Sequence, residues 1–337
     1  MAKLEHATSP GTPVAPSERR SILPERWQNL GQNYGALAGC IILFLFNCLF
    51  TPHFVTFQTL GLNLQQMATT AIVAIGMTLV ISTGGIDLSV GSVMSIAGVL
   101  APIIFLRINN PLLGNTAAII VSLLAGGLCG SFNGWLVTGF RIQPIIATLI
   151  LFIAGRGIAQ VMTNGAGQDF TNPGFQFLGQ GKILGLPFPA YLMIIIVIGV
   201  ALIVRHTTFG RYILATGGNE PAARLAGVPV MRTKMAVYII TGVLAALAGL
   251  IFVALNAEAD ASSIGLNYEL NAIAAVAVGG TPLIGGQARI VGTLFGALII
   301  QLIYTALVSN NVPADVAQIV NAAIILGAVY LQRQRKA

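Results

Sequence analysis

Apolar runs of about 20 residues recur along this chain, each closed by a short polar or glycine-rich connection. A helix of about 20 residues covers the ~30 Å hydrocarbon core of a bilayer. The spacing therefore predicts an all-α polytopic membrane protein. Ten candidate spans are expected. Five come early: Gly35 to Phe50, Leu62 to Ile81, Val90 to Leu106, Ala117 to Val137 and Ile145 to Met162. Five follow: Pro189 to Val204, Met235 to Leu255, Leu270 to Val278, Ile290 to Leu307 and Ala314 to Leu331. The eighth is short or broken, because it runs into GGTPLIGGQAR (Gly279–Arg289). Only 8% of residues are charged, against about 25% in a soluble domain, so little material exists to cover a soluble surface. Seventeen of the 39 glycines lie inside the apolar runs, where they suit close packing and interrupted helices rather than flexible linkers.

The longest polar passage, Arg205 to Lys234, splits the spans into two groups of five, which permits two pseudo-symmetric, inverted halves. It sets Arg205, Arg211, Arg224, Arg232 and Lys234 against one acid, Glu220, and so should face the cytoplasm. With the amino end also inside, Arg141, Arg289 and the basic carboxyl end fall on the same side, and Arg107 and Lys182 are the outside exceptions. The expected organisation is a cytoplasmic tail (1–33) ending in an interfacial helix near Trp27, a transmembrane domain (34–331) carrying the cytoplasmic loop 205–234, and a short cytoplasmic tail (332–337). The tail 1–33 lacks the early compact apolar region of a cleaved signal peptide. A net charge of +7 orients the chain in the membrane; no base-reading motif accompanies it, so no nucleic-acid partner is expected. Cys40, Cys48 and Cys129 have no metal-ligand spacing and read as small packing residues.

Within 205–234, Asn219 is placed to cap a short helix whose first turn holds Glu220 and Pro221, with Gly227 and Pro229 as its stop. Such a rigid basic knob serves either as a topology anchor or as a docking element. In Ser82–Ser92, Gly84 and Gly85 bend or break a helix and Asp87 sits near the start of the next, where it caps, braces a hinge or touches solute. Arg156, between Gly155 and Gly157, must face protein or a polar cavity, since lipid exposure is costly. Asn133, Gln143, Gln160 and Asn164 add hydrogen-bonding groups suited to a neutral polar solute or to joining helices. Glu258, with Asp260, stands just beyond the seventh span, where these carboxylates bind sugar hydroxyls, meet basic residues of a delivering partner or serve as solvent-facing caps. Gly279, Gly280, Gly285 and Gly286 are expected to form a cytoplasmic turn supporting the central loop. There is no Walker-type or HExxH run and no metal cluster, so no catalytic residue is expected and nothing in this chain hydrolyses ATP.

Three separated segments, AIGMTLVISTGGIDLSVGS (Ala74–Ser92), TTFGRYILATGGNEPAARLAGV (Thr207–Val228) and YELNAIAAVAVGGTPLIGGQARIVGTLFGALI (Tyr268–Ile299), resemble the membrane permease of bacterial ribose-type ABC importers. The likeness covers about Asn33 to Leu331. It implies an inner-membrane permease, itself non-catalytic, that moves a monosaccharide such as ribose from a periplasmic binding protein to the cytoplasm. It further implies a second permease copy or homologue, and two cytoplasmic ATPase subunits or one fused tandem ATPase, which hold the ATP and magnesium. By the same likeness, Gly217, Gly218, Asn219, Glu220, Pro221, Ala222, Ala223, Arg224, Leu225 and Gly227 form the ATPase-coupling loop, and a charge at Ala223 should disturb coupling. A permease for a polyol, nucleoside or furanosyl signal shares every coupling feature. An ion-driven secondary transporter, with Asp87, Glu258 and Glu269 as ion sites, is the alternative of a different class.

Overall fold

The computed structural model describes residues 25–313 and positions 316, 319, 320, 322 and 323. The order is α1 (Glu25–Phe50), α2 (Phe57–Ser82), α3 (Val90–Phe105), α4 (Pro111–Gly139), α5 (Pro144–Met162), α6 (Pro173–Gln180), α7 (Phe188–His206), α8 (Thr208–Gly218), α9 (Glu220–Leu225), α10 (Val230–Asn256), α11 (Tyr268–Val278) and α12 (Ile290–Ser309). Two small antiparallel ladders join the connections: β1 (Gln168–Asp169) with β4 (Glu258–Ala259), and β2 (Lys182–Ile183) with β3 (Leu186–Pro187).

Among the described residues, six helices are long and apolar enough to cross a membrane: α2, α4, α5, α7, α10 and α12. Three further apolar helices are shorter, namely residues 35–50 of α1, α3 and α11. The six long helices are six of the ten expected spans, and the shortness of two others has a geometric reason. α11 has 11 residues and at 1.5 Å per residue reaches only about 16 Å, half a bilayer core; irregular backbone at 257–267 precedes it. α3 is likewise preceded by non-helical 83–89. The expected tenth span (314–331) and the tails 1–24 and 332–337 lie outside the described residues, a few positions of 314–331 excepted. No separate interfacial helix forms at Trp27, since α1 runs unbroken from Glu25 to Phe50.

A repeat emerges from the packing. Long α2, a break, short α3 and long α4 are matched by long α10, a break, short α11 and long α12. α3 packs on α4 as α11 packs on α12, while α2 and α10 pack on each other. These two are the centre: the apolar window of α2 is 83% buried and that of α10 67%, against 22% for α4.

Small residues let the helices meet. Gly126, Gly130 and Gly134 line one face of α4, and a methyl added at Gly130 would overlap the Tyr238 carbonyl of α10. A methyl at Gly242 would overlap the Gly126 carbonyl in turn, the close approach that small-xxx-small patterns permit in lipid. On the other side of α10, Thr241 Oγ1 donates to the Gly76 carbonyl of α2 at 3.0 Å. Gly242→Leu should therefore destabilise the bundle by at least ~1–3 kcal/mol and lower its midpoint in thermal size-exclusion, whereas Gly199→Leu on α7, where a Cβ meets nothing within 4 Å, should leave it unchanged.

Candidate coupling and gating site

α7 ends on Arg205 and His206, and Thr207 starts α8 by accepting the Gly210 amide on its side chain. α8 stops at Gly218, and the Asn219 side chain accepts from the Ala222 amide at 3.0 Å, capping α9 as its residue type suggests. Gly227, at φ +79°, turns the chain out of α9 and toward α10. Glu220 is the electrostatic centre of this hairpin: one carboxylate oxygen takes Arg224 at 2.7 Å and the other takes Lys234 of α10 at 2.6 Å. Partial burial by itself would raise the Glu220 carboxyl, but the hydrogen bonds and charges of Lys234 and Arg224 outweigh it and hold the group below its ordinary 4.5. Ala223 is buried, whereas Leu225 is 92% exposed. A charge at Ala223 would thus disturb the hairpin's own packing, and Leu225 is the side chain it presents outward.

The hairpin rests on the place where α2 stops. The Gly286 amide donates to the Ser82 carbonyl at 3.0 Å, and Ser82 Oγ donates to the Gln287 carbonyl at 2.8 Å. Gly217 lies so close to Ser82 and Gly286 that any Cβ would overlap them. A Cβ on Gly285 would stand 2.9 Å from the Gly84 nitrogen and 3.1 Å from the Gly217 carbonyl, and one on Gly286 would stand 3.0 Å from Gly218 Cα. Gly84, Gly217, Gly218, Gly285 and Gly286 thus form one backbone-to-backbone junction. Gly285 (φ +101°) and Gly286 (φ +79°) need glycine on conformational grounds as well. Gly279 ends α11 and packs against Gly292 of α12, and Gly280 follows it at φ +84°. Gly85 faces the hydroxyl of Tyr238.

The polar membrane residues fall into separate places. Asp87 is buried and accepts from the Ser89 amide (2.9 Å) and hydroxyl (2.7 Å), and Asn133 Nδ2 donates to the same Ser89 oxygen at 2.7 Å. Asp87 and Asn133 therefore meet through Ser89 and brace the start of α3. Arg156 uses Nη1 on the carbonyls of Ala261 (3.0 Å), Ser262 (3.4 Å) and Ile264 (2.7 Å). It clamps the irregular 257–267 backbone, which Ser95 Oγ also holds through Ala261 at 2.9 Å. Glu258 is exposed on β4 opposite Asp169. Asp260 turns onto Ser262, whose side-chain and backbone hydrogen bonds hold its carboxyl below the usual range. Gln143 precedes α5 beside Glu220 and Arg224, at the end of the bundle that carries α9. Gln160 and Asn164 are exposed near the opposite end of α5 and make no side-chain hydrogen bond among the described residues. Sequence reasoning missed Tyr238 and Ser95, for a tyrosine or serine inside an apolar run carries no local sign of its neighbours.

Because the Glu220 carboxyl titrates below its ordinary value, its contribution is complete above about pH 4.5 and is lost as pH falls through the depressed value. Glu220→Gln should speed amide exchange over 219–228 at neutral pH, and its difference from wild type should close as the medium is acidified through that window.

The family model described as branched-chain amino acid transport system / permease component matches residues 59–329. The chain is 40% identical over 306 residues to the ribose import permease protein RbsC of Escherichia coli K12, covering 89% of this chain and 94% of that one. It is 40% identical over 308 residues to the galactofuranose transporter permease protein YtfT of the same strain, covering 89% of each. It is 39% identical over 273 residues to the fructose import permease protein FruF of Bifidobacterium longum, covering 80% and 76%. This chain therefore belongs to the branched-chain amino acid transport system / permease component family and is a non-catalytic, multi-pass membrane transport subunit.

Proposed function

We propose that the chain is the membrane permease of an ATP-driven importer that carries a monosaccharide, ribose or a similar pentose or hexose, from a periplasmic binding protein into the cytoplasm. The relatives are named for ribose, galactofuranose and fructose, which favours the sugar class over polyols or nucleosides. The partners are a second permease copy or homologue and two cytoplasmic ATPase subunits, or one tandem ATPase, which hold ATP and magnesium. In this reading both termini and the 205–234 loop are cytoplasmic. The short α3 and α11, the apolar part of α1 and the segment 314–331 complete ten passes in two inverted halves.

The observation that carries the coupling role is the junction of Gly217 and Gly218 with Ser82, Gly84 and Gly286. ATPase closure displaces α9 through exposed Leu225, and α8 passes the displacement to the end of α2 and to the 279–289 turn. Backbone in direct contact transmits such a shift without the slack of long side chains. The broken segments at 83–89 and 257–267 then change the path for solute, and no covalent chemistry is needed.

Reconstitution with the cognate ATPase and binding protein tests this reading. Labelled ribose, or another monosaccharide from the same panel, should enter vesicles only with ATP inside the ATPase compartment; ATP-independent uptake driven by an ion gradient would overturn it. Losing a buried leucine contact costs roughly tenfold or more, so Leu225→Asp should cut solute-stimulated hydrolysis by about that factor while the permease still elutes as a folded species. Gly217→Val should leave α9 able to bind the ATPase but separate hydrolysis from uptake; normal coupled transport by this variant would sink the junction's role.

A further inference from the structure

The hairpin is flanked by a groove that the transport cycle as described does not use. One cavity of about 220 Å³ opens between the end of α4, the turn into α5, α9 and the start of α10, and a second of about 320 Å³ adjoins it, sharing Arg224, Val230 and Met231. Their floor is apolar, with Val137, Ile142, Val230 and Met231. Their rim carries Arg141, Arg224, Arg232 and Lys234 against the single carboxylate of Glu220. That carboxylate is already filled by Arg224 and Lys234. Arg141 and Arg232 are exposed and have no ion-pair partner among the described residues. Arg141 also holds φ +56° in the turn between α4 and α5, a left-handed conformation that glycine or asparagine would adopt at lower cost. An arginine kept at such a position is a pointer to a role for its charge.

We propose that this groove binds the headgroup of an anionic phospholipid, with the phosphate on Arg141 and Arg232 and the glycerol and first acyl carbons over the apolar floor. The aromatic neighbours of this groove select lipid over a soluble phosphate. Trp135 (48% exposed) and Phe140 (60% exposed) pack edge to face at 4.7 Å on the last turn of α4, beside Val137 and Arg141. An exposed aromatic pair of this kind marks a membrane boundary, and basic pockets between helices at the cytoplasmic boundary suit acidic headgroups. The two cavities together reach the size of an ordinary small-ligand site. A lipid seated there ties the α4–α5 turn to the foot of the coupling hairpin, and Leu225 lines neither cavity. The inference rests on reading this end of the bundle as the cytoplasmic boundary.

Native mass spectrometry of the full-length chain, stripped of lipid in mild detergent and titrated with phosphatidylglycerol or phosphatidylcholine, tests it. The wild type should retain phosphatidylglycerol selectively. Each arginine removed should weaken retention roughly fivefold, so that Arg141→Gln/Arg232→Gln falls by about twenty-five-fold, while Arg141→Lys/Arg232→Lys keeps most of it. Equal retention of the two lipids, undiminished binding by the glutamine variant, or displacement by millimolar inorganic phosphate would each overturn the proposal. Should the glutamine variant not fold, the wild type decides: phosphatidylglycerol retention that does not fall as potassium chloride is raised from low to high ionic strength overturns it as well. The assay contains no ATPase, so its failure is distinct from a failure of the coupling role, which Leu225→Asp reports.

Discussion

Inside a bilayer there is no water to satisfy a backbone group that leaves a helix, and each one left unpaired costs several kcal/mol. α2 and the helical part of the eighth span both stop where backbone must be paired by other protein groups, and the surrounding structure is arranged around that need. Ser82, at the end of α2, accepts from Gly286 and donates to Gln287. Asp87 and Thr148 receive the amides of Ser89 and Leu88 before α3 begins. Arg156 and Ser95 satisfy carbonyls of 257–267. A charged arginine in an apolar span is expensive, and here it is retained because one guanidinium serves three carbonyls that have no helix to join.

The same breaks explain why the α8–α9 hairpin lies where it does. A helix end that must be paired offers its backbone to a neighbour, and the neighbour is the glycine-rich turn 279–289 with the end of α8 against both. Glycine at 217, 285 and 286 is required by proximity, since any side chain would separate the chains whose contact completes the ends. α10 connects this region to the rest of the bundle, packing on α2, α3 and α4 along its length.

Much of the architecture was legible in the residues. The apolar runs placed α2, α4, α5, α7, α10 and α12 within a few residues, because a span's length is imposed by bilayer thickness and not by its neighbours. Asn219, Glu220, Pro221 and Gly227 announced α9, since capping is chemistry within one turn. Gln143, Gln160 and Asn164 lie at or just beyond the ends of α5, while Asp87 and Arg156 pair broken backbone, and a polar residue at a helix boundary and one in a buried cluster look alike in one dimension. The internal repeat was also faint: its two halves share a pattern of long, broken and short elements, while their residues answer to different neighbours.

By itself, then, the sequence determined that this chain lies in a membrane, where most of its helices run, where they are interrupted and where its basic, capped hairpin stands. These follow from hydrophobic length, glycine placement and local hydrogen bonding. Only the tertiary structure decided that Ser82, Gly217 and Gly286 are in contact, that Arg156 clamps 257–267, that Ala223 faces inward and Leu225 outward, and that Arg141 shares a groove with Arg232. Each is a relation between residues far apart in the chain or between faces of one short helix, and it is settled by how closely whole helices approach.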